Sequence, residues 1–146
     1  MRVSLPDGMT AAADPILEIL KNYSRIAVVG LSSNPARPSY EVTAYMQSAG
    51  YKIIPVNPNE TEVLGENSYA RLEDVPGTVE IVDVFRRAED VPPVVESAIA
   101  AGAKVLWMQL GIENAGAAER ARAAGLIVVE DACILVEHRR RMKLLR

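Results

Sequence analysis

Ala101-Gly102-Ala103-Lys104-Val105-Leu106-Trp107-Met108-Gln109-Leu110 places a small-residue helix end, a glycine stop and an apolar run in immediate succession. Two further stretches are built alike: Ala49-Gly50 before Tyr51-Lys52-Ile53-Ile54-Pro55-Val56, and Ala124-Gly125 before Leu126-Ile127-Val128-Val129. Glycine just past a helix supplies the left-handed C′ conformation, so each stretch reads as helix, stop, buried strand. The runs at 26–30 and 79–85 bring the strand-like segments to five. All five are nearly continuous in apolar residues, the pattern of a parallel sheet covered by helices on both faces.

Working outward, helices are expected over 39–49, 90–101, 114–124 and from 132 onward. The second carries Val91, Val94, Val95, Ala98 and Ile99 at helical spacing, with Pro92-Pro93 in its first turn. Asp14 as N-cap and Pro15 at the first helical position open a further helix over about 14–22. Strands alternating with helices imply a three-layer α/β/α, doubly wound, five-stranded parallel sheet. Right-handed crossovers favour strand order 3-2-1-4-5, with ligands bound beyond the carboxyl ends, between the first and fourth strands. Residues 59–77 form the one connection without an expected helix, beyond a single turn at 71–74.

A length of 146 residues is one domain's worth, able to bury about 68% of its unfolded surface, and residues 1–146 are read as a single domain. No apolar run reaches the 18 residues of a membrane-spanning helix. Residues 1–10 lack the core of a signal peptide, so a cytoplasmic protein is expected. One cysteine, Cys133, excludes an internal disulfide, and with one histidine, His138, it supplies too few ligands for a zinc site. Arg139, Arg140, Arg141, Lys143 and Arg146 make a basic C-terminal helix over about 132–146 on an otherwise acidic chain of net charge −3. These charges are read as solvated and favoured by the helix dipole; neither nucleic acid nor membrane is an expected partner.

After the first strand, Gly30-Leu31-Ser32-Ser33-Asn34-Pro35-Ala36-Arg37-Pro38-Ser39-Tyr40 is a polar loop feeding a helix. Its backbone N–H groups, the Ser32 and Ser33 hydroxyls, the helix start at Pro38-Ser39 and the Arg37 charge can converge on an anion. The same residues also suit a capped turn with Arg37 in solvent. A dinucleotide site would have G-x-G-x-x-G here and a carboxylate ending the second strand. The loop has Gly30 alone, and Pro55-Val56-Asn57-Pro58 holds no acid before Glu60. Asp83, in the buried third strand, must be paired, hydrogen-bonded or at the crevice. Phe85 and Arg86 follow it, an aromatic and a cation suited to a base and a phosphate. Gln109 ends the fourth strand, where its amide can orient a ligand or tie down a loop. Trp107 is read as core, Cys133 as a small buried hydrophobe and His138 as a helix-end surface residue.

Together these segments resemble the stand-alone CoA-binding domain proteins, relatives of the N-terminal domain of the succinyl-CoA synthetase alpha subunit. The resemblance covers residues 26–139. It rests on S-x-x-P-x-R-P-S-Y at 32–40, P-V-N-P at 55–58, V-D-V-F-R at 82–86, L-W-M-Q-L-G at 106–111 and V-E-H-R at 136–139. It implies a Rossmann-like fold and coenzyme A or acyl-CoA as ligand. It places contacts on Gly30, Leu31, Ser32 and Ser33, around Lys52 and Val56 to Pro58, and on Val84, Phe85 and Arg86. Position in the fold adds Arg37, Pro38, Ser39 and Gln109. Similar proteins read D-R-C where this chain has Asp131-Ala132-Cys133. A ligase of this kind needs a second domain with a phosphohistidine, so no catalysis is expected of this chain alone. The expected role is a sensor, carrier or partner module, as a homodimer or with another protein. The alternative is a small NAD(P)-dependent oxidoreductase or redox sensor.

Overall fold

A computed structural model describes residues 1–145. The elements run β1 (Arg2–Ser4), α1 (Pro15–Asn22), β2 (Arg25–Val29), α2 (Pro38–Ser48), β3 (Lys52–Val56), β4 (Glu62–Val63), β5 (Glu66–Asn67), β6 (Ile81–Val84), α3 (Val91–Ala100), β7 (Val105–Met108), α4 (Ala115–Ala123), β8 (Ile127–Glu130) and α5 (Ile134–Arg140). Gly50, Gly102 and Gly125 follow α2, α3 and α4 with φ of 101°, 73° and 97°, the left-handed stops read from the repeat.

The fold is α/β, doubly wound and three-layered as expected, but strand count and order differ. Six strands lie in the order β1-β8-β7-β6-β2-β3, all parallel except β1. Numbering the five anticipated strands in sequence gives 2-1-3-4-5 where 3-2-1-4-5 was expected. Pro55 supplies the physical reason. A proline lacks the donor that an inner strand needs, and the expected order would have put its strand, β3, inside the sheet. Instead β3 lies at the edge. Pro55 turns its carbonyl outward to accept from Tyr69 N at 3.0 Å, and Asn57 N donates to Tyr69 O at 2.8 Å. β6 takes the inner place, pairing β2 and β7, with all four residues buried. The sixth strand, β1, pairs antiparallel with β8, Val3 opposite Val129; three residues carry no periodicity from which to read it.

Chain reversal at β3 sends successive crossovers to opposite faces. One face packs Ile16, Ile19, Val42, Met46 and Ile134, from α1, α2 and α5, on Ile26, Val28, Ile53, Trp107 and Val129. The other packs Val91, Val95, Ala98, Ala117 and Ala121, from α3 and α4, on Ala27, Val82, Leu106 and Val128. The connection from β3 to β6 adds the β4–β5 hairpin and a 3-10 turn at Leu72–Asp74, whose Leu72 plugs the second face. No helix among the described residues is long and apolar enough to cross a membrane.

The C-terminus departs from the solvated helix expected of it. α5 stops at Arg140, a 3-10 turn follows at Met142–Leu144, and Arg146 lies outside the described residues. Arg141 is largely buried, donating to both Asp14 carboxylate oxygens at 2.8 and 3.1 Å and to Glu137 at 3.0 Å. Arg139 stacks over the Tyr45 ring, 5.4 Å from its centroid. His138 is buried rather than exposed, its Nδ1 2.8 Å from Tyr45 Oη and its ring edge-on to Tyr45 and Tyr51. Burial lowers its pKa. Asp14 also accepts from Leu17 N at 3.2 Å, capping α1. Hydrogen bonds from Arg141 hold its carboxyl below the usual carboxylate range. Asp14→Ala removes the cap and leaves Arg141 half-paired; thermal unfolding should show a loss of about 1–2 kcal/mol.

Candidate functional site

The switch point lies between β2 and β6, neighbours whose following segments leave toward opposite faces. It was expected between β2 and β7, and the shift follows from the strand order. Gly30 follows β2 directly with φ 90°, its N–H donating to Val56 O at 2.9 Å, while Phe85 N donates to Val29 O at 2.8 Å. A Cβ at Gly30 would collide with the Phe85 carbonyl oxygen. The two chains part directly beyond this contact, and a cleft of about 700 Å³ opens on the α2–α5 face.

Gly30, Ser32, Arg37, Pro38, Ser39, Phe85, Arg86 and Gln109, eight of the residues singled out from sequence, line this cleft. The first loop is folded on itself. Ser32 N donates to Ser39 Oγ at 3.1 Å, Asn34 N to Ser32 Oγ at 3.1 Å and Ala36 N to Asn34 Oδ1 at 2.9 Å. α2 then begins at Pro38 without a side-chain cap; Tyr40 and Glu41 N–H donate to Arg37 O at 3.1 and 3.3 Å, which leaves Ser39 N–H and the positive end of the helix to meet an anion. Three guanidinium groups line the cleft, those of Arg37, Arg86 and Arg87, and no carboxylate does. Arg87 is engaged by Asp90 at 3.1 Å and Glu89 at 3.5 Å. Among the described residues neither Arg37 nor Arg86 is in an ion pair.

The other seven lie elsewhere. Leu31 and Val84 are fully buried in the core. Val56 and Arg86 border a separate hollow of about 180 Å³ on the α3 side of the sheet. Asn57 is a brace, its Nδ2 donating to Leu31 O at 3.0 Å, and Pro58 is exposed beside it. Ser33 is exposed, its N–H donating to Glu60 Oε2 at 2.5 Å. Lys52 begins β3 at the amino end of the sheet, paired with Glu66 at 2.6 Å and far from the cleft.

Under the cleft floor lies Asp83, 1% exposed. It accepts from Gln109 Nε2 at 2.5 Å, and Gln109 Oε1 in turn accepts from Ile134 N at 3.4 Å at the start of α5. Burial pushes the Asp83 carboxyl up to about 7, against the lowering effect of Gln109. Gln109 thus touches the cleft on one side and ties β6 to α5 on the other. Trp107 is core, as expected, with Nε1 donating to Ala132 O at 2.8 Å. Cys133 is not the buried hydrophobe expected; it is partly exposed at the cleft wall. Sequence reasoning also missed the rim formed by Leu110, 71% exposed, and Ile112. Both follow Gln109 at the end of β7, the position that marks them as crevice residues.

A family model described as "CoA binding domain" matches residues 24–139. The Bacillus subtilis protein YneT is 46% identical over 123 residues, 84% of this chain and 91% of that protein. The solved structure of a protein from Pyrococcus horikoshii OT3 superposes with a TM-score of 0.87 at 40% identity, covering 97% of this chain and 99% of that one. A shorter match, 36% identical over 67 residues, covers 45% of this chain and 15% of the acetate–CoA ligase (ADP-forming) II subunit alpha of Pyrococcus furiosus.

Proposed function

This chain belongs to the CoA binding domain family, and we propose that it binds coenzyme A or an acyl-CoA in the cleft between β2 and β6, as a sensor, carrier or partner module without chemistry of its own. The observation that carries this reading is the donor set. Arg37 and Arg86, in no ion pair among the described residues, and Ser39 at the start of α2 face a cleft with no carboxylate in its lining. That environment favours a polyanion. CoA carries a pyrophosphate and a 3′-phosphate, and Phe85 beside Arg86 offers an aromatic face to its base. The thiol of CoA would bear the acyl group; the residues of this chain bind and orient. Similarity to part of an acetate–CoA ligase subunit supports a place in acyl-CoA metabolism, and similarity over 91% of YneT supports a stand-alone role.

Titration calorimetry at fixed salt tests the reading. CoA should bind, and Arg86→Ala should weaken it about tenfold, the loss of one or two charge-assisted contacts. NAD should not bind, because the loop lacks the glycines that let a dinucleotide pyrophosphate approach. Binding of NAD but not CoA, or an unchanged CoA affinity in Arg86→Ala, overturns the proposal.

A further inference from the structure

Three amides of the first loop are met by neutral groups of the same loop and helix start, whereas Ser33 N–H is met by a charge, the Glu60 carboxylate at 2.5 Å. Glu60 is carried there by the turn after β3. Its own N–H donates to Asn57 O at 3.2 Å, and Asn57 Nδ2 anchors the turn to Leu31 O of the first loop. Among the described residues no cation pairs with Glu60. A carboxylate that no cation pairs among the described residues, resting on a loop amide beside a cleft lined by Arg37 and Arg86, occupies the kind of place that suits an incoming anion.

We propose that Glu60 is an internal stand-in for a ligand phosphate, which a phosphate-bearing ligand must displace from Ser33 N–H in order to bind. This rests on the reading of the cleft as a CoA site. Affinity is then set by a contest between two anions for one donor, and the turn at 57–60 moves when the ligand wins. A phosphate that reaches this amide also meets a like charge at close range. Glu60 therefore lowers affinity and sharpens selectivity toward ligands whose anionic groups make enough other contacts to prevail.

The test compares Glu60→Gln, Glu60→Ala and the wild type by calorimetry with CoA and dephospho-CoA. Glu62→Gln serves as a control of equal net charge, since Glu62 is exposed in β4 and does not touch Ser33. Both Glu60 variants should bind CoA about tenfold more tightly, between the aqueous and partly buried limits for two unit charges a few ångströms apart. Glu62→Gln should match the wild type, and thermal melts confirm that each variant is folded. A gain for CoA that exceeds the gain for dephospho-CoA assigns the contest to the 3′-phosphate; equal gains assign it to the pyrophosphate. Unchanged CoA affinity in both Glu60 variants, or the same gain in Glu62→Gln, overturns the proposal and leaves the CoA reading standing. Weaker binding in the Glu60 variants also overturns it, making Glu60 a ligand contact. Absence of CoA binding in every form overturns both.

Discussion

Asp83→Asn should raise stability at pH 8 by a few kcal/mol while leaving it nearly unchanged at pH 4. The carboxyl is buried, and its folded pKa of about 7 lies above the ordinary 3.8 of the unfolded chain. The folded state therefore holds its proton more tightly. Stability from this group is fully present below pH 3.8 and is lost as pH rises toward 7, at roughly 1 kcal/mol per pH unit; above 7 the loss levels off. Asparagine keeps the acceptor for Gln109 Nε2 and removes the titration. Denaturant unfolding of both proteins from pH 4 to 8 checks this: the difference should open across that window. Parallel curves would mean that the carboxyl ionises without cost, through water reaching it from the cleft.

Gly30→Ala should cost about 3 kcal/mol, combining the left-handed φ with overpacking against a strand backbone. For a chain of this size that is a melting temperature lower by roughly 6–12 °C. The obstacle is the Phe85 carbonyl, which is backbone and cannot swing aside. Gly102→Ala separates the two causes: its φ is 73° but nothing lies within 4 Å of the added methyl, so about 1 kcal/mol is expected. Equal losses at the two positions would show that β2 and β6 do not approach as closely as described. CoA binding should also fall in Gly30→Ala, because the methyl forces apart the strand ends from which the cleft opens.

Residues whose environment is local in sequence were legible. Gly50, Gly102 and Gly125 announce their helix stops because a left-handed residue is a property of the backbone itself, and Asp14-Pro15 announces a cap for the same reason. Strand order was not legible from periodicity, which is silent on neighbours; Pro55 carried the missing information as an absent donor. His138 and Arg141 were misplaced because charge and polarity describe a side chain and not its partners, which here come from Tyr45 and from Asp14, 127 positions away. Of the candidate site, the first loop and Phe85-Arg86 could be located by their position after a strand. Lys52 could not be located from its motif alone: strand direction puts it at the amino end. The Asp83–Gln109 bond joins residues 26 apart that become neighbours through the parallel register of β6 and β7.

The clasp between Asp14 and Arg141, together with the pairing of β1 on β8, has a consequence for the order of events during synthesis. The opening segment completes its contacts with residues translated on the order of 10 s later, at ordinary elongation rates. Until then α1 lacks the guanidinium that neutralises its cap and the helix α5 that covers its apolar side. Ile16, Ile19 and Leu20 of α1 share their apolar cluster with Ile134 of α5, so a helix made early is fully packed only after β8 has followed.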